Sequence, residues 1–284
     1  MRRQPHALPI CNFMNKMLRN KEKDKNRNHL LYNISRSMKL LALVSSMPFE
    51  SEAVLASLKK IRTFQLAGKS VHKGQLSGRD ILLVNSGIGK VNAAHTATCI
   101  MENFAVQGIV NFGVGGAYLN SGLKLGDIAV AIKEIYGDEG VAGLKKWTGM
   151  EEIGIPIVKA GKRKYFNEFT LDKKFANALI PSHPPLAKVG WGDFEIKSGA
   201  FVTVSAASGT PRKAIELEKT FHAVCENMEG AAIAQVCVIY KIPFLEIRGI
   251  SNIAGVRDKK KWDLRLASAN CQQAVQEILT HAGY

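Results

Sequence analysis

Residues 226–252 read ENMEGAAIAQVCVIYKIPFLEIRGISN, and two patterns within them decide the fold. From Glu229 to Tyr240 apolar residues fall on nearly every side of a helical wheel, the mark of a helix in the middle of a molecule. From Phe244 to Ile250 the chain is rich in Leu and Ile without alternation, as in a strand covered on both faces. A buried helix feeding a doubly covered strand is one unit of a layered α/β domain. The same stretch holds groups that an apolar interior does not welcome. Glu226 and Glu229 stand before or within the first helical turn, and Arg248, Ser251 and Asn252 lie in or just after the strand.

Upstream the pattern repeats. MKLLALVSS from Met38 opens the domain with a short apolar strand at Leu40 to Val44, and Glu50 to Lys60 carries helical periodicity through Val54, Leu55 and Leu58. Strands follow at Lys69 to Leu76 and Asp80 to Ser86, joined by a turn at Ser77 and Gly78. GIGKVNAAHTATCIMENF enters a helix through glycines, with Val91, Ala94, Thr98 and Met101 near one face. Gly108 to Phe112 is a buried strand that ends on Gly113, Gly115 and Gly116, and Asp127 to Tyr136 is another. Gly137 to Pro185 is irregular, with one helix at Asp172 to Leu179. A strand at Gly199 to Ser205, a helix at Pro211 to Thr220 and a closing amphipathic helix at Trp262 to Thr280 complete the series. The expectation is a single α/β domain of three layers, 38–284, with a central mixed sheet flanked by helices. Ligands of such sheets gather at the carboxyl ends of strands.

The 284 residues carry a formal charge of +15, which invites a nucleic-acid partner, but the charge is unevenly spread. Residues 1–37 hold nine Lys and Arg against Glu22 and Asp24, nearly half of the whole excess. That segment lacks the apolar core and cleavage site of a secretory signal. It reads as a basic, disordered leader outside the folded domain, and neither nucleic acid nor membrane is expected as a partner. Five scattered cysteines without a CxxC pair argue against a zinc site or a disulfide framework and for the cytoplasm. No metal and no organic cofactor are expected.

Each polar residue at a strand end has a plain structural explanation when taken alone. A helix dipole welcomes Glu229, Asn252 suits a turn, and the glycines of GIGKVN lack the spacing of a dinucleotide loop. Arg248 resists such a reading, because a buried guanidinium must meet carboxylates, and Glu50 and Glu229 are its candidates.

Together these segments resemble a family. VSSMPFESE (44–52), NSGIGKVNAA (85–94), VNFGVGGAY (110–118), ENMEGAA (226–232) and PFLEIRGISN (243–252) follow the order of signature segments in the purine nucleoside phosphorylase and nucleosidase superfamily. The likeness is strongest to the methylthioadenosine/S-adenosylhomocysteine nucleosidases. It implies that Glu50 positions the attacking water, that Glu229 with Met228 binds the ribose hydroxyls, and that Arg248 holds the carboxylates in place. It further implies that Gly115, Gly116 and Ala117 lie against sugar and base, that Ala206 and Ala207 lie beside the purine, and that Ser251 belongs to the same wall.

Where those nucleosidases carry an aspartate that protonates N7 of adenine, this chain has Asn252. An amide donates to a 6-oxo group and accepts from a protonated N7, so a 6-oxopurine such as hypoxanthine is the expected base. YGDEGV (136–141) and RDKKKW (257–262) are similar to 6-oxopurine nucleosidases of the futalosine-hydrolase group. The first loop, SSMPFE, lacks the arginine of the phosphorylases, which favours water over phosphate as nucleophile. Ranked behind this reading are a methylthioadenosine-type or general purine nucleosidase, a phosphorylase and a non-catalytic nucleoside-binding protein. A homodimer or larger homo-oligomer is the assembly the resemblance implies.

Overall fold

In the computed structural model, residues 40–144, 147–180 and 194–281 are described. The basic leader 1–37 and the expected domain start at Met38 lie outside them. The chain runs β1 (Leu41–Ser45), α1 (Glu52–Ser57), β2 (Lys59–Leu66), β3 (Lys69–Leu76), β4 (Arg79–Asn85), α2 (Lys90–Asn103), β5 (Gly108–Ala117) and β6 (Ile128–Tyr136). Short pieces follow: β7 (Gly140–Ala142), β8 (Trp147–Gly149), α3 (Met150–Ile153), β9 (Val158–Ala160), β10 (Arg163–Tyr165), β11 (Glu168–Thr170) and α4 (Lys173–Leu179). The last third holds β12 (Ile196–Thr203), α5 (Pro211–Phe221), β13 (Ala223–Asn227), α6 (Gly230–Tyr240), β14 (Phe244–Ile253) and α7 (Leu264–His281).

Ten of these strands form one mixed sheet in the order β11-β6-β12-β13-β5-β1-β4-β3-β2, with β14 paired to both β5 and β6. The double pairing of β14 has a topological consequence. β5, β13, β12, β6 and β14 each bond the next, and β14 returns to β5, so half of the sheet curls into a closed ring of five strands. The other half, β1 to β4, stays an open extension whose inner strands pair in parallel as β5-β1-β4. Side chains fill the interior of so small a ring, and polar ones must find partners there.

The helices seal the sheet. α6 is buried along most of its length, as its all-round apolar sequence requires, and α7 lies against β14 and β5. The approach of α7 is close: a Cβ added at Gly249 would stand 2.0 Å from the carbonyl oxygen of Ala267.

Three expectations need correction. Glu50 to Lys60 is not one helix: Pro48–Glu50 is a 3-10 turn, α1 is only six residues long, and Lys59 and Lys60 already belong to β2. β2 had no signature because it is an outer strand with mostly exposed side chains, and its lysines and arginine suit an edge that must not recruit another chain. On α2 the buried face is Ala93, Thr96, Ala97 and Ile100, whereas Val91 is 84% exposed. The glycine cluster does not follow β5 but lies inside it, since the strand continues to Ala117.

Candidate active site

A cavity of about 380 Å3 opens at the carboxyl ends of β1, β5, β13 and β14. Glu50, Glu229, Arg248 and Asn252 all line it, with Gly115, Gly116, Ala207, Met228 and Ser251. Ala117 and Ala206 are not on its wall: Ala117 is fully buried in β5 pairing, and Ala206 is exposed on the loop after β12. A cavity of about 490 Å3 lies elsewhere, beside Pro243 and Phe244 at the start of β14. Its Asp172 is occupied in capping α4, and no cluster of carboxylates faces it.

Glu50 reaches the site because Pro48 sets a tight turn directly after β1. Its carboxylate is 2% exposed and accepts three backbone N–H groups, those of Ser46 at 2.9 Å, Met47 at 2.7 Å and Val114 at 2.8 Å. The last contact depends on Gly113. This residue has φ +155, and a Cβ there would stand 2.4 Å from Glu50 Oε1. Burial pushes the Glu50 carboxyl above its ordinary value, opposed by the Arg248 guanidinium and by the N–H groups of Val114 and Met47.

Glu229 is the residue that precedes α6, yet it does not cap its own helix. That duty falls to the Asn227 side chain, whose Oδ1 accepts from Glu229 N at 2.9 Å and Gly230 N at 2.8 Å. The Glu229 carboxylate is thereby released toward the cavity, where it accepts from Gly89 N at 2.9 Å and from Arg248 Nη2 at 3.3 Å. The helix-dipole explanation of Glu229 accounts for the favourable position but not for these partners.

Arg248 is 1% exposed. Its Nε and Nη2 both lie 2.8 Å from Glu246 Oε1, and Nη1 donates to the carbonyl of Val114 at 3.1 Å. Desolvation opposes the charge, but the carboxylates of Glu246, Glu229 and Glu50 more than compensate and push its pKa up. Asn252 owes its place to a bulge. Between Ile250 and Asn252 the register on β5 slips, leaving Ser251 as the extra residue and pairing Asn252 with Gly116. Its Oδ1 accepts from Ser251 Oγ at 2.9 Å, and its Nδ2 donates at 3.2 Å to the carbonyl of Ile253.

Several lining residues carried no sequence signal strong enough to single them out. Phe49, Ile88, Trp262 and Leu264 give the cavity an apolar side. Arg257 lies over the Trp262 ring at 4.8 Å, and the indole is itself held by the carbonyl of Val256 at 2.8 Å. Glu226 also lines the cavity, but Ser208 N at 2.8 Å and Ser208 Oγ at 2.5 Å occupy its carboxylate, which fastens the loop after β12. Among the described residues no cluster of His, Cys, Asp and Glu suits a metal ion, and no helix is long and apolar enough to cross a membrane.

Glu50, Glu229, Arg248 and Asn252, each singled out in the sequence, thus meet around one apolar-sided cavity at strand ends. The chain belongs to the phosphorylase superfamily, whose family model matches residues 40–281. It is 34% identical over 208 residues to the futalosine hydrolase of Thermus thermophilus, a match covering 73% of this chain and 85% of the relative. It is 28% identical over 245 residues to the 5'-methylthioadenosine/S-adenosylhomocysteine nucleosidase of Marinomonas sp., covering 85% and 99% of the two chains. Among solved structures, the nucleosidase of that type from Colwellia psychrerythraea, in complex with adenine, superposes with a TM-score of 0.71 at 27% identity, covering 86% of this chain and 96% of that one. The chain is an N-glycosyl hydrolase of the nucleosidase kind.

Gly113 provides a test of the site's construction. Gly113→Ala adds a Cβ where the Glu50 carboxylate now sits, so Glu50 must move by about 1 Å, a displacement that typically costs about a hundredfold in rate. Steady-state turnover of a purine nucleoside, read beside an unfolding curve, measures this. A folded variant with wild-type turnover would show that the Glu50–Val114 contact does not set the geometry.

Proposed function

We propose that the chain hydrolyses the N-glycosidic bond of a 6-oxopurine nucleoside, with futalosine as the substrate and hypoxanthine and dehypoxanthinyl futalosine as products, a step of menaquinone biosynthesis. The observation that carries this reading is the presence of Glu50, Glu229, Arg248 and Asn252 on one cavity wall, with Arg248 bonded to Glu229. The 34% identical futalosine hydrolase supports the same substrate.

Counting acceptor sites supports the roles. A carboxylate offers about four lone-pair positions. Glu50 spends three on backbone N–H groups, which leaves one for a water that it orients and deprotonates as general base. Glu229 spends one on Gly89 and one on Arg248, which leaves two for the two hydroxyls of a ribose cis-diol. Its negative charge also stabilises the oxocarbenium-like sugar that forms as the base departs. Asn252 donates to the 6-oxo oxygen and accepts from protonated N7, while the apolar side of the cavity receives the rest of the nucleoside. The reaction needs no metal or organic cofactor in this scheme. The cytoplasm and a homodimer or larger homo-oligomer complete the proposal, in line with the implied family.

Glu50 must be ionised to act as base, and burial raises its pKa above the ordinary 4.5. Hydrolysis therefore falls as pH drops through a value above 4.5, and Glu50→Gln lowers kcat at least about a hundredfold at pH values where Glu50 is ionised. A pH–rate profile without that acid limb, or a fully active Glu50→Gln, contradicts the role.

The base assignment is tested by incubating wild type and Asn252→Asp with futalosine, its 6-amino analogue, inosine and methylthioadenosine and quantifying the liberated base. Wild type is expected to favour futalosine, and Asn252→Asp to shift the kcat/KM ratio toward the 6-amino substrate by about 1–3 kcal/mol, the cost of one unpaired buried polar group. A wild type that prefers methylthioadenosine supports the neighbouring nucleosidase activity instead. A ratio unmoved by the substitution shows that Asn252 does not read the base.

A further inference from the structure

Five buried carboxyl groups, Glu50, Glu134, Glu226, Glu229 and Glu246, and one guanidinium are packed at the closed ring of strands, and two of the carboxyls, Glu134 and Glu246, do not line the cavity. Both are fully buried. They stand face to face: a Cβ placed on Gly230 would lie 2.1 Å from Glu246 Oε2 and 2.4 Å from Glu134 Oε1. Only glycine leaves them room at the head of α6.

Their partners differ in kind. Glu246 Oε1 receives two N–H groups of Arg248 at 2.8 Å, so Glu246 is the ionised member. Glu134 receives only neutral donors, the Thr203 hydroxyl at 2.7 Å and the Asn227 amide at 3.0 Å. Glu246 Oε2, meanwhile, is buried with no hydrogen-bond donor. Two adjacent carboxylates in the interior, one without a cation, carry a heavy cost, and a single proton removes it. Placed on Glu134 Oε1, that proton gives Glu246 Oε2 its missing donor. The groups facing Glu134 agree with this assignment. They are Glu246 and Arg248 of β14, Thr203 of β12, Asn227 and Cys225 of β13, Tyr136 of β6 itself and the backbone of Gly230. Burial, then the charge of Glu246, push Glu134 well above the ordinary carboxylate value, against a weaker pull from Arg248.

We infer that Glu134 and Glu246 share one proton and act as a pair of positioning residues for the catalytic ion pair. From one side Glu246 fixes Arg248. From the other, Glu134 holds Asn227 and Thr203, which in turn accept the N–H groups of Glu229, Gly230 and Ala231 and set the start of α6. Glu229 is thus held through its backbone by Glu134 and through its side chain by Arg248. The neutral acid is required: an ionised Glu134 would compete with Glu229 for the one guanidinium in the ring.

The test has two arms, of which the second rests on the proposed nucleosidase reaction and the first uses no substrate. Above pH 4.5 the unfolded chain releases the Glu134 proton while the folded protein keeps it, so folding takes up a proton and stability declines as pH rises toward the folded pKa. In Glu134→Gln this contribution vanishes, and the unfolding constant, read from urea curves between about pH 5.5 and 8.5, rises less steeply, by up to about tenfold per pH unit. Glu50 contributes equally to both proteins and cancels. In the second arm Glu246→Gln lowers kcat at least about a hundredfold with little change in KM, Glu134→Ala also lowers kcat, and Glu134→Gln regains at least about tenfold over Glu134→Ala. An equal pH slope in wild type and Glu134→Gln overturns the shared proton. A wild-type kcat in Glu246→Gln, or equal loss in Glu134→Gln and Glu134→Ala, overturns the positioning role.

Discussion

The buried guanidinium of Arg248 is the constraint on which the rest of the molecule depends. A charge 1% exposed can persist only where carboxylates and carbonyls surround it. Here Glu246, Glu229 and the Val114 carbonyl do so at 2.8 to 3.3 Å. That requirement explains why β14 must pass between β5 and β6, why α6 must begin where it does, and why the positions beside the guanidinium are small. Gly115 is one of these: a Cβ there would stand 2.7 Å from Cys225 Sγ and 3.2 Å from the Arg248 Cβ. Such a network is not a source of net stability, since apolar packing of equal volume commonly stabilises as well or better. Its product is Glu229 held at a fixed position on the wall of a cavity, with Val114 fixed beside it where its N–H holds Glu50.

The division of labour follows the topology. The open half of the sheet, β1 to β4, delivers Glu50 on a short turn and Gly89 at the start of α2, with ordinary apolar packing beneath. The closed half delivers Glu229, Arg248 and Asn252, and it buries Glu134, Glu246, Thr203 and Asn227. A closed ring restrains its members from every side, so the residues that must not move are placed there, whereas the loop after β12 is tied down by the separate Glu226–Ser208 contacts.

Much of this was legible in the amino-acid sequence, and the remainder was hidden for physical reasons. Apolar runs disclosed α6 and β14 because burial on all sides leaves no room for polar residues. Glu50, Glu229, Arg248 and Asn252 were visible as polar residues at strand ends, and they meet in one cavity. β2 escaped because an exposed edge strand needs no apolar alternation, and Val91 misled because an apolar residue on a helix is not obliged to be buried. Ala117 and Ala206 lie off the cavity wall, for an alanine carries no signal of direction. The ring closure depends on pairing between β14 and β6, more than a hundred residues apart, which no local pattern encodes. Glu134 and Glu246 had a signal that went unused: a single carboxylate in each of the largely apolar runs IAVAIKEIY, where Lys133 is the other charge, and FLEIRGI, where Arg248 is.

The central claim is that one planar guanidinium, through its fork of donors, positions Glu229 directly and Glu50 through the backbone of Val114, whose carbonyl accepts from Arg248 and whose N–H donates to Glu50. Arg248→Lys keeps the charge and removes the fork, because an ammonium cannot hold Glu246, Glu229 and the Val114 carbonyl in the same geometry. The kcat of Arg248→Lys for nucleoside hydrolysis, measured on protein shown to be folded, is the direct measurement. The account predicts a loss of at least about a hundredfold with KM nearly unchanged. A lysine variant that turns over at the wild-type rate would show that charge alone suffices and would contradict it.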